Sequence, residues 1–175
     1  PTLQLPYYAP PGNTNPKTLD ELKFLEKVQT NKDFVNKGDD VVKSFQPLID
    51  KYEINISSEY LEKVVKESAK FIMQLKYKYN RPRPYQIAEF YGIDLKGVEL
   101  DSMKTPSYPS GHATQGYLVG EILTQFDPQN AITYRQKAED IAYSRIVAKA
   151  HFPSDRIYGK KIGKFLFQGI RKWSL

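Results

Sequence analysis

The stretch TPSYPSGHATQGY, residues 105–117, sets two prolines and a Ser-Gly pair in front of one of the only two histidines in the chain. Proline and Ser-Gly break regular structure and cap helices, so the stretch reads as a turn with a helix starting at about residue 111. That helix is predicted to run to 126, where Asp127-Pro128 stops it, and helical pattern returns over about 130–149 and 154–173. Upstream, residues 93–110 form a loop dense in turn formers. A short helix starts at Pro84 and ends at Gly92. Before it, Ser57 or Ser58 caps a long helix whose stripe of Leu61, Val64, Val65, Ala69, Ile72 and Leu75 ends near Tyr79, because Pro82 and Pro84 forbid continuation.

Two further helices precede these. Thr18 and Glu21 have capping-box spacing, followed by Leu22, Leu25 and Val28, and Asp39-Asp40 favours a start for Val41, Val42, Phe45, Leu48 and Ile49. The first sixteen residues hold five prolines and read as an extended arm. With no period-2 strand and no internal repeat, the expectation is an all-α bundle of six or seven helices, forming one domain over residues 1–175.

Composition narrows the partners. The net charge is +6, and the segment from Arg156 onward holds six basic residues and no acidic one, which accounts for that excess. Such a balance suits phosphates, nucleic acid or acidic membrane surfaces. The lack of cysteine excludes disulfides and thiolate metal sites, and two histidines argue against a histidine-rich one. No window approaches the roughly 18 apolar residues of a membrane span, and the start has no signal-peptide core, so the chain is expected to be soluble, with its compartment open. Along the last helix Tyr158, Ile162, Phe165, Leu166, Gly169 and Trp173 make an apolar stripe opposite the lysines. The stripe fits either packing on the bundle or peripheral contact with a membrane surface.

Three clusters lie outside the core pattern: KYKYNRPRP, then PSGH at 109–112, then SRIVAKAHFPSD at 144–155. Each alone fits a plainer role. Lys76 and Arg83 suit a solvated helix end, Ser110-Gly111 a turn and cap, Asp155 a helix start, and His151 a satisfied interior position.

In combination they resemble the three-part signature of the type 2 phosphatidic acid phosphatase and vanadium haloperoxidase superfamily, and especially the bacterial class A non-specific acid phosphatases. Lys76 precedes Arg83-Pro84 with six residues between them. Pro109-Ser110-Gly111-His112 follows, and Ser144-Arg145 leads to His151 and Asp155 at the family spacing. Arg81 is a neighbour without a readable role. The resemblance covers residues 76–155 and implies an all-α phosphatase fold. It implies a phosphate ester hydrolase that uses His151 as nucleophile through a phosphohistidine, Asp155 to fix its tautomer, and His112 as general acid and then base.

By the same resemblance Lys76, Arg83, Ser110, Gly111 and Arg145 bind the phosphate, with no metal and no cofactor. Physical chemistry agrees with these residue types. Phosphoryl transfer needs cations around three equatorial oxygens, planar arginine forks suit phosphate, and a helix N-terminus supplies N–H donors. The expected substrate is a small-molecule or lipid phosphate, with no nucleic acid. A vanadate-dependent haloperoxidase is the enzymatic alternative, in which vanadate is a cofactor instead of an inhibitor, although those chains are longer and their first spacing usually differs. The non-enzymatic alternative is a module that binds anionic lipid or nucleic acid through the basic last helix.

Overall fold

The computed structural model describes residues 4, 5 and 7–173, with side chains as far as residue 170. Eight α-helices follow one another: α1 Pro16–Lys27, α2 Lys32–Lys37, α3 Val41–Lys51, α4 Ser58–Tyr79, α5 Pro84–Phe90, α6 Gly111–Phe126, α7 Ala131–Val147 and α8 Pro153–Trp173. No strand occurs among the described residues. The all-α expectation holds, and each of the seven helical segments read from the sequence is present. To these the structure adds the six-residue α2, too short to show a periodic stripe.

Helix starts follow side-chain capping. Asn31 accepts from the Phe34 N–H, Asp40 from Lys43, Ser57 from Tyr60 and Ser110 from Ala113, each satisfying a first-turn donor. The capping box expected at Thr18 and Glu21 is not the start of α1. Asn15 caps that helix through Lys17 N, and Pro16, with φ preset for a helix, takes the first helical position. Thr18 and Glu21 therefore fall inside α1, and both are buried.

The largest apolar cluster joins α3, α4, α6 and α7 through Phe45, Leu61, Leu118, Leu123, Tyr134 and Ile141. At its centre α6 packs on both α7 and α8. The α6–α8 approach is close enough to require glycine. A Cβ on Gly163 would stand 2.6 Å from the Thr114 carbonyl oxygen, and one on Gly159 would stand 2.8 Å from that of Ser110. Backbone atoms cannot yield to such contacts as a flexible side chain can.

The apolar stripe of α8 faces inward. Tyr158 and Ile162 are buried, and Phe165 stacks on Phe71 with centroids 6.3 Å apart. On the other side Lys160 and Arg156 both pair with Glu139. Trp173, the last member of the stripe, has its side chain outside the described residues. The arm is anchored as well: the Tyr108 hydroxyl donates to the Tyr8 carbonyl at 2.8 Å, and Tyr8 meets Tyr158 edge-on. Among the described residues no helix is long and apolar enough to cross a membrane.

Substitution in α8 tests this packing. Gly163→Ala should lower stability by about 1–3 kcal/mol through overpacking. Gly169→Ala, where a Cβ meets nothing within 4 Å, should be neutral or gain up to about 1 kcal/mol of helix propensity. Denaturant unfolding of the two variants beside the wild type measures both.

Candidate active site

Three helix ends carry the site. The first is the end of α4, where Lys76 lies on the last turn and Asn80 closes the helix in the left-handed region at φ 48°. Asparagine tolerates that conformation better than most residues. The chain then runs extended, with Pro82 and Pro84 barring helix, and delivers Arg81 and Arg83 to the interior. The second is the start of α6, where Ser110 caps and Gly111 and His112 form the first turn.

The third is the junction of α7 and α8. The Ala150 N–H reaches back to the Arg145 carbonyl and the Lys149 N–H to that of Ile146, with Lys149 left-handed at φ 58°. This helix-ending motif reverses the chain, so that His151 faces the first turn of α8. Pro153 begins α8, which makes this a turn into a new helix.

Lys76, Arg83, Gly111, His112 and His151 line one cavity of about 230 Å³, with Ala69, Ile72 and Met73 as its apolar wall. Ser110, Arg145 and Asp155 stand behind it, all fully buried. Lys76 and Arg83 are held by neutral acceptors, and Arg145 by a carbonyl and a carboxylate. Lys76 Nζ donates to the Pro106 carbonyl at 2.7 Å. Arg83 donates Nε–H to the Thr105 carbonyl at 2.7 Å and Nη1–H to that of Ala150 at 2.9 Å, and Nη2–H to the Ser102 carbonyl. Arg145 reaches the Val35 carbonyl at 2.5 Å and Asp39 Oδ1 at 3.3 Å.

Burial, reinforced by Arg83, lowers the Lys76 pKa to about 7. Burial also lowers Arg83 to about 10, where it stays charged at any ordinary pH. Gly111 meets only the Ile72 methyl at 3.7 Å and Lys76 Cε at 3.9 Å when given a Cβ. A Cβ there would therefore meet only ordinary contacts and would stand beside Lys76.

His151 is gripped from both sides. Its Nδ1 lies 3.3 Å from Asp155 Oδ2, and its Nε2 lies 2.9 Å from Arg83 Nη1. A guanidinium only donates, so Nε2 carries the lone pair and Nδ1 the proton. Burial, then Arg83 and Lys76, hold its pKa well below the usual imidazole range, so the ring is neutral. His112 donates Nε2–H to the Asp39 carbonyl at 2.7 Å. Burial and then Arg145 bring its pKa down to about 4.

Four contributors escaped the sequence reading. Arg81, there without a role, pairs with Asp155 at 2.7 Å and with Glu21 at 3.3 Å. Ser107 donates its hydroxyl to Asp155, and Asp39 touches both Arg145 and His112. Only Glu21 left a signal. It sits four residues before Leu25 on the inner face of α1, where an acidic residue needs a partner. Among the described residues no group of three or more metal-ligating side chains is assembled.

Similar curated proteins include the non-specific acid phosphatase of Providencia stuartii, 32% identical over 46% of this chain and 32% of that one. That of Salmonella typhimurium is 33% identical over 53% of this chain and 37% of its own, and the acid phosphatase of Zymomonas mobilis is 37% identical over 48% and 31%. The matched stretch thus spans about a third of each relative's length. The crystal structure of a transmembrane PAP2-type phosphatidylglycerolphosphate phosphatase from Bacillus subtilis superposes with a TM-score of 0.62 at 17% identity, covering 90% of this chain and 84% of that one. It shares the fold. The PAP2 superfamily profile matches residues 63–175, more than half of the chain and all three parts of the signature, and the chain therefore belongs to the PAP2 superfamily.

Proposed function

We propose that the protein hydrolyses phosphate monoesters without a metal, through a phosphohistidine on His151. The observation that carries this is the His151 ring itself: neutral, with Nδ1 facing Asp155 and an Nε2 lone pair at the wall of a cavity lined by Lys76 and Arg83. At rest Arg83 donates to that lone pair. An arriving phosphate, charged where the carbonyls around it are neutral, is the stronger acceptor for the guanidinium and leaves Nε2 available.

In the first step the Nε2 lone pair attacks phosphorus and the bond to the leaving oxygen breaks. The developing imidazolium is stabilised by Asp155 at Nδ1. His112 gives the departing alkoxide its proton. Since its Nε2 donates to the Asp39 carbonyl, Nδ1 is the nitrogen left to carry that proton. In the second step His112 takes a proton from water, the hydroxide attacks phosphorus, and the P–N bond breaks to free His151 and inorganic phosphate. Lys76, Arg83, Arg145 and the N–H groups at the start of α6 hold the equatorial oxygens. Ser110 contributes by ordering that helix start.

The proton on His112 comes with the substrate. The free ring, with a pKa of about 4, is neutral at pH 5–7. A phosphomonoester monoanion, with a second pKa of about 6, brings one proton, and the phosphate charge then favours its transfer to His112. Acidic to neutral pH is therefore the working range.

Phosphate release from p-nitrophenyl phosphate is expected to persist in EDTA and to be inhibited by vanadate, whose five-coordinate form resembles the transition state. Loss of activity in EDTA with recovery on adding a divalent ion would overturn the metal-free mechanism, and peroxide-driven bromide oxidation with vanadate would make the chain a haloperoxidase. His151→Ala should abolish turnover. His112→Ala should slow an alkyl phosphate by about 100-fold or more and p-nitrophenyl phosphate far less, because an activated leaving group needs no acid.

In a pH series kcat/KM for an alkyl phosphate should fall as pH rises past about 6, where the monoanion is lost. Inhibition by inorganic phosphate should weaken as pH rises through about 7. Lys76, charged below its lowered pKa and neutral above it, then stops contributing a cation.

A further inference from the structure

Behind Asp155 lies a buried polar cluster that the proposed chemistry does not employ. Asp155 Oδ2 accepts from the Ser107 hydroxyl and from Phe152 N–H at 2.8 Å, and faces His151 Nδ1. Its Oδ1 accepts from Arg81 Nη1 at 2.7 Å. Arg81 in turn reaches Glu21 Oε2 through Nη2 at 3.3 Å, and its guanidinium lies 4.0 Å over the Phe152 ring. Glu21 takes the Ser154 N–H on Oε1 at 2.6 Å and the Ser154 hydroxyl proton on Oε2 at 2.9 Å, while Ser154 Oγ accepts from Arg81 at 2.7 Å. All of these residues are buried. Glu21 precedes the stretch matched by the family profile, so the cluster ties α1 to the site.

The donor count favours an ionised Asp155. Four donors converge on its two oxygens, from Arg81, Ser107, Phe152 and His151, and an ionised carboxylate can accept them all. A protonated one would have only the Ser107 hydroxyl to donate to, since Arg81, the Phe152 N–H and the His151 Nδ1–H only donate. Burial acts the other way and raises the carboxyl pKa, with Arg81 the largest opposing influence. The remaining charged or titratable groups acting on His151 are Arg83 and Lys76 from the α4 side, His112 on α6 and Arg145 on α7. None of them takes the place of Arg81 at Oδ1.

We propose that Arg81 and Glu21 are positioning residues for His151: Arg81 keeps the Asp155 carboxylate ionised and aimed at Nδ1, and Glu21 holds Arg81 and the first turn of α8 in place. The inference rests on the reading of His151 as nucleophile. It makes α1, although remote in sequence from the signature, part of what sets the nucleophile's tautomer.

The chain has only two histidines, so ¹⁵N spectra can be assigned with His112→Ala. In the wild type at pH 7 His151 should be neutral with its proton on Nδ1, and the Asp155 side-chain ¹³C signal should be that of a carboxylate. A protonated Asp155, or a proton on Nε2, overturns the proposal without any variant having to fold. Glu21→Gln and Arg81→Met should lower kcat for phenyl phosphate about tenfold or more, as loss of an orienting partner does, while KM stays within about twofold.

Their His151 ¹⁵N signals should move toward a tautomer mixture, and Arg81→Lys should recover most of the kcat. Variants with unchanged melting temperature, wild-type kcat and wild-type ¹⁵N signals would overturn it, as would a loss confined to KM. If the wild type releases no phosphate at all, the phosphatase reading fails, and the ¹⁵N comparison of wild type with Glu21→Gln still decides the positioning role.

Discussion

A carboxylate removed from water must be surrounded by donors, and Asp155 meets that demand by drawing four parts of the chain to one point. Its side chain gathers Arg81 from beyond α4, Ser107 from the loop before α6, and His151 from the α7–α8 turn. Its backbone carbonyl accepts the Ser110 N–H at 3.1 Å, fixing the start of α6 against the start of α8. Breaking any one contact leaves a buried charge short of partners, which costs more than the contact itself contributes. The glycines of α8 belong to the same constraint. Only without a Cβ at 159 and 163 can α8 lie close enough on α6 for these two helix starts to meet.

The cations follow a complementary rule. Lys76, Arg83 and Arg145 are buried, yet each donates to backbone carbonyls of Pro106, Thr105, Ala150 or Val35. For Lys76 and Arg83 neutral acceptors satisfy the N–H groups without cancelling the charge, whereas Arg145 also pairs with the Asp39 carboxylate. The cavity therefore keeps a positive potential that Asp155, engaged with Arg81, only partly offsets. Burial first, and then the neighbouring cations, depress the pKa values of Lys76, His112 and His151. The proposed phosphate binding would use this potential, with the cations already in place around the cavity.

This bundle shares its fold with a transmembrane phosphatase at 17% identity, so widely different sequences adopt it. In this chain the faces turned away from the core carry lysines and carboxylates such as Lys160 and Glu139. The inner faces and the helix ends hold the geometry. An apolar stripe such as that of α8 is thus ambiguous in sequence, since core and lipid select the same residues; packing of Tyr158 and Ile162 assigns its first half to the core.

What the sequence determined by itself was local or carried by spacing. Seven helices were legible because 3.6-residue stripes end at Pro82, Gly92 and Pro128, and the signature residues were legible because their order and spacing resemble a family pattern, not because any one of them stood out. The short α2 and the true start of α1 were not, since Asn15 and Thr18 are both plausible caps and only packing chose between them. The partners of Arg81 were equally hidden: Glu21 lies sixty positions away and Asp155 seventy-four, and no local pattern encodes a contact across such gaps. Side-chain chemistry and periodicity act over a few residues and can be read along the chain. Which buried charge finds which partner is decided only when the helices close around the charges and exclude water.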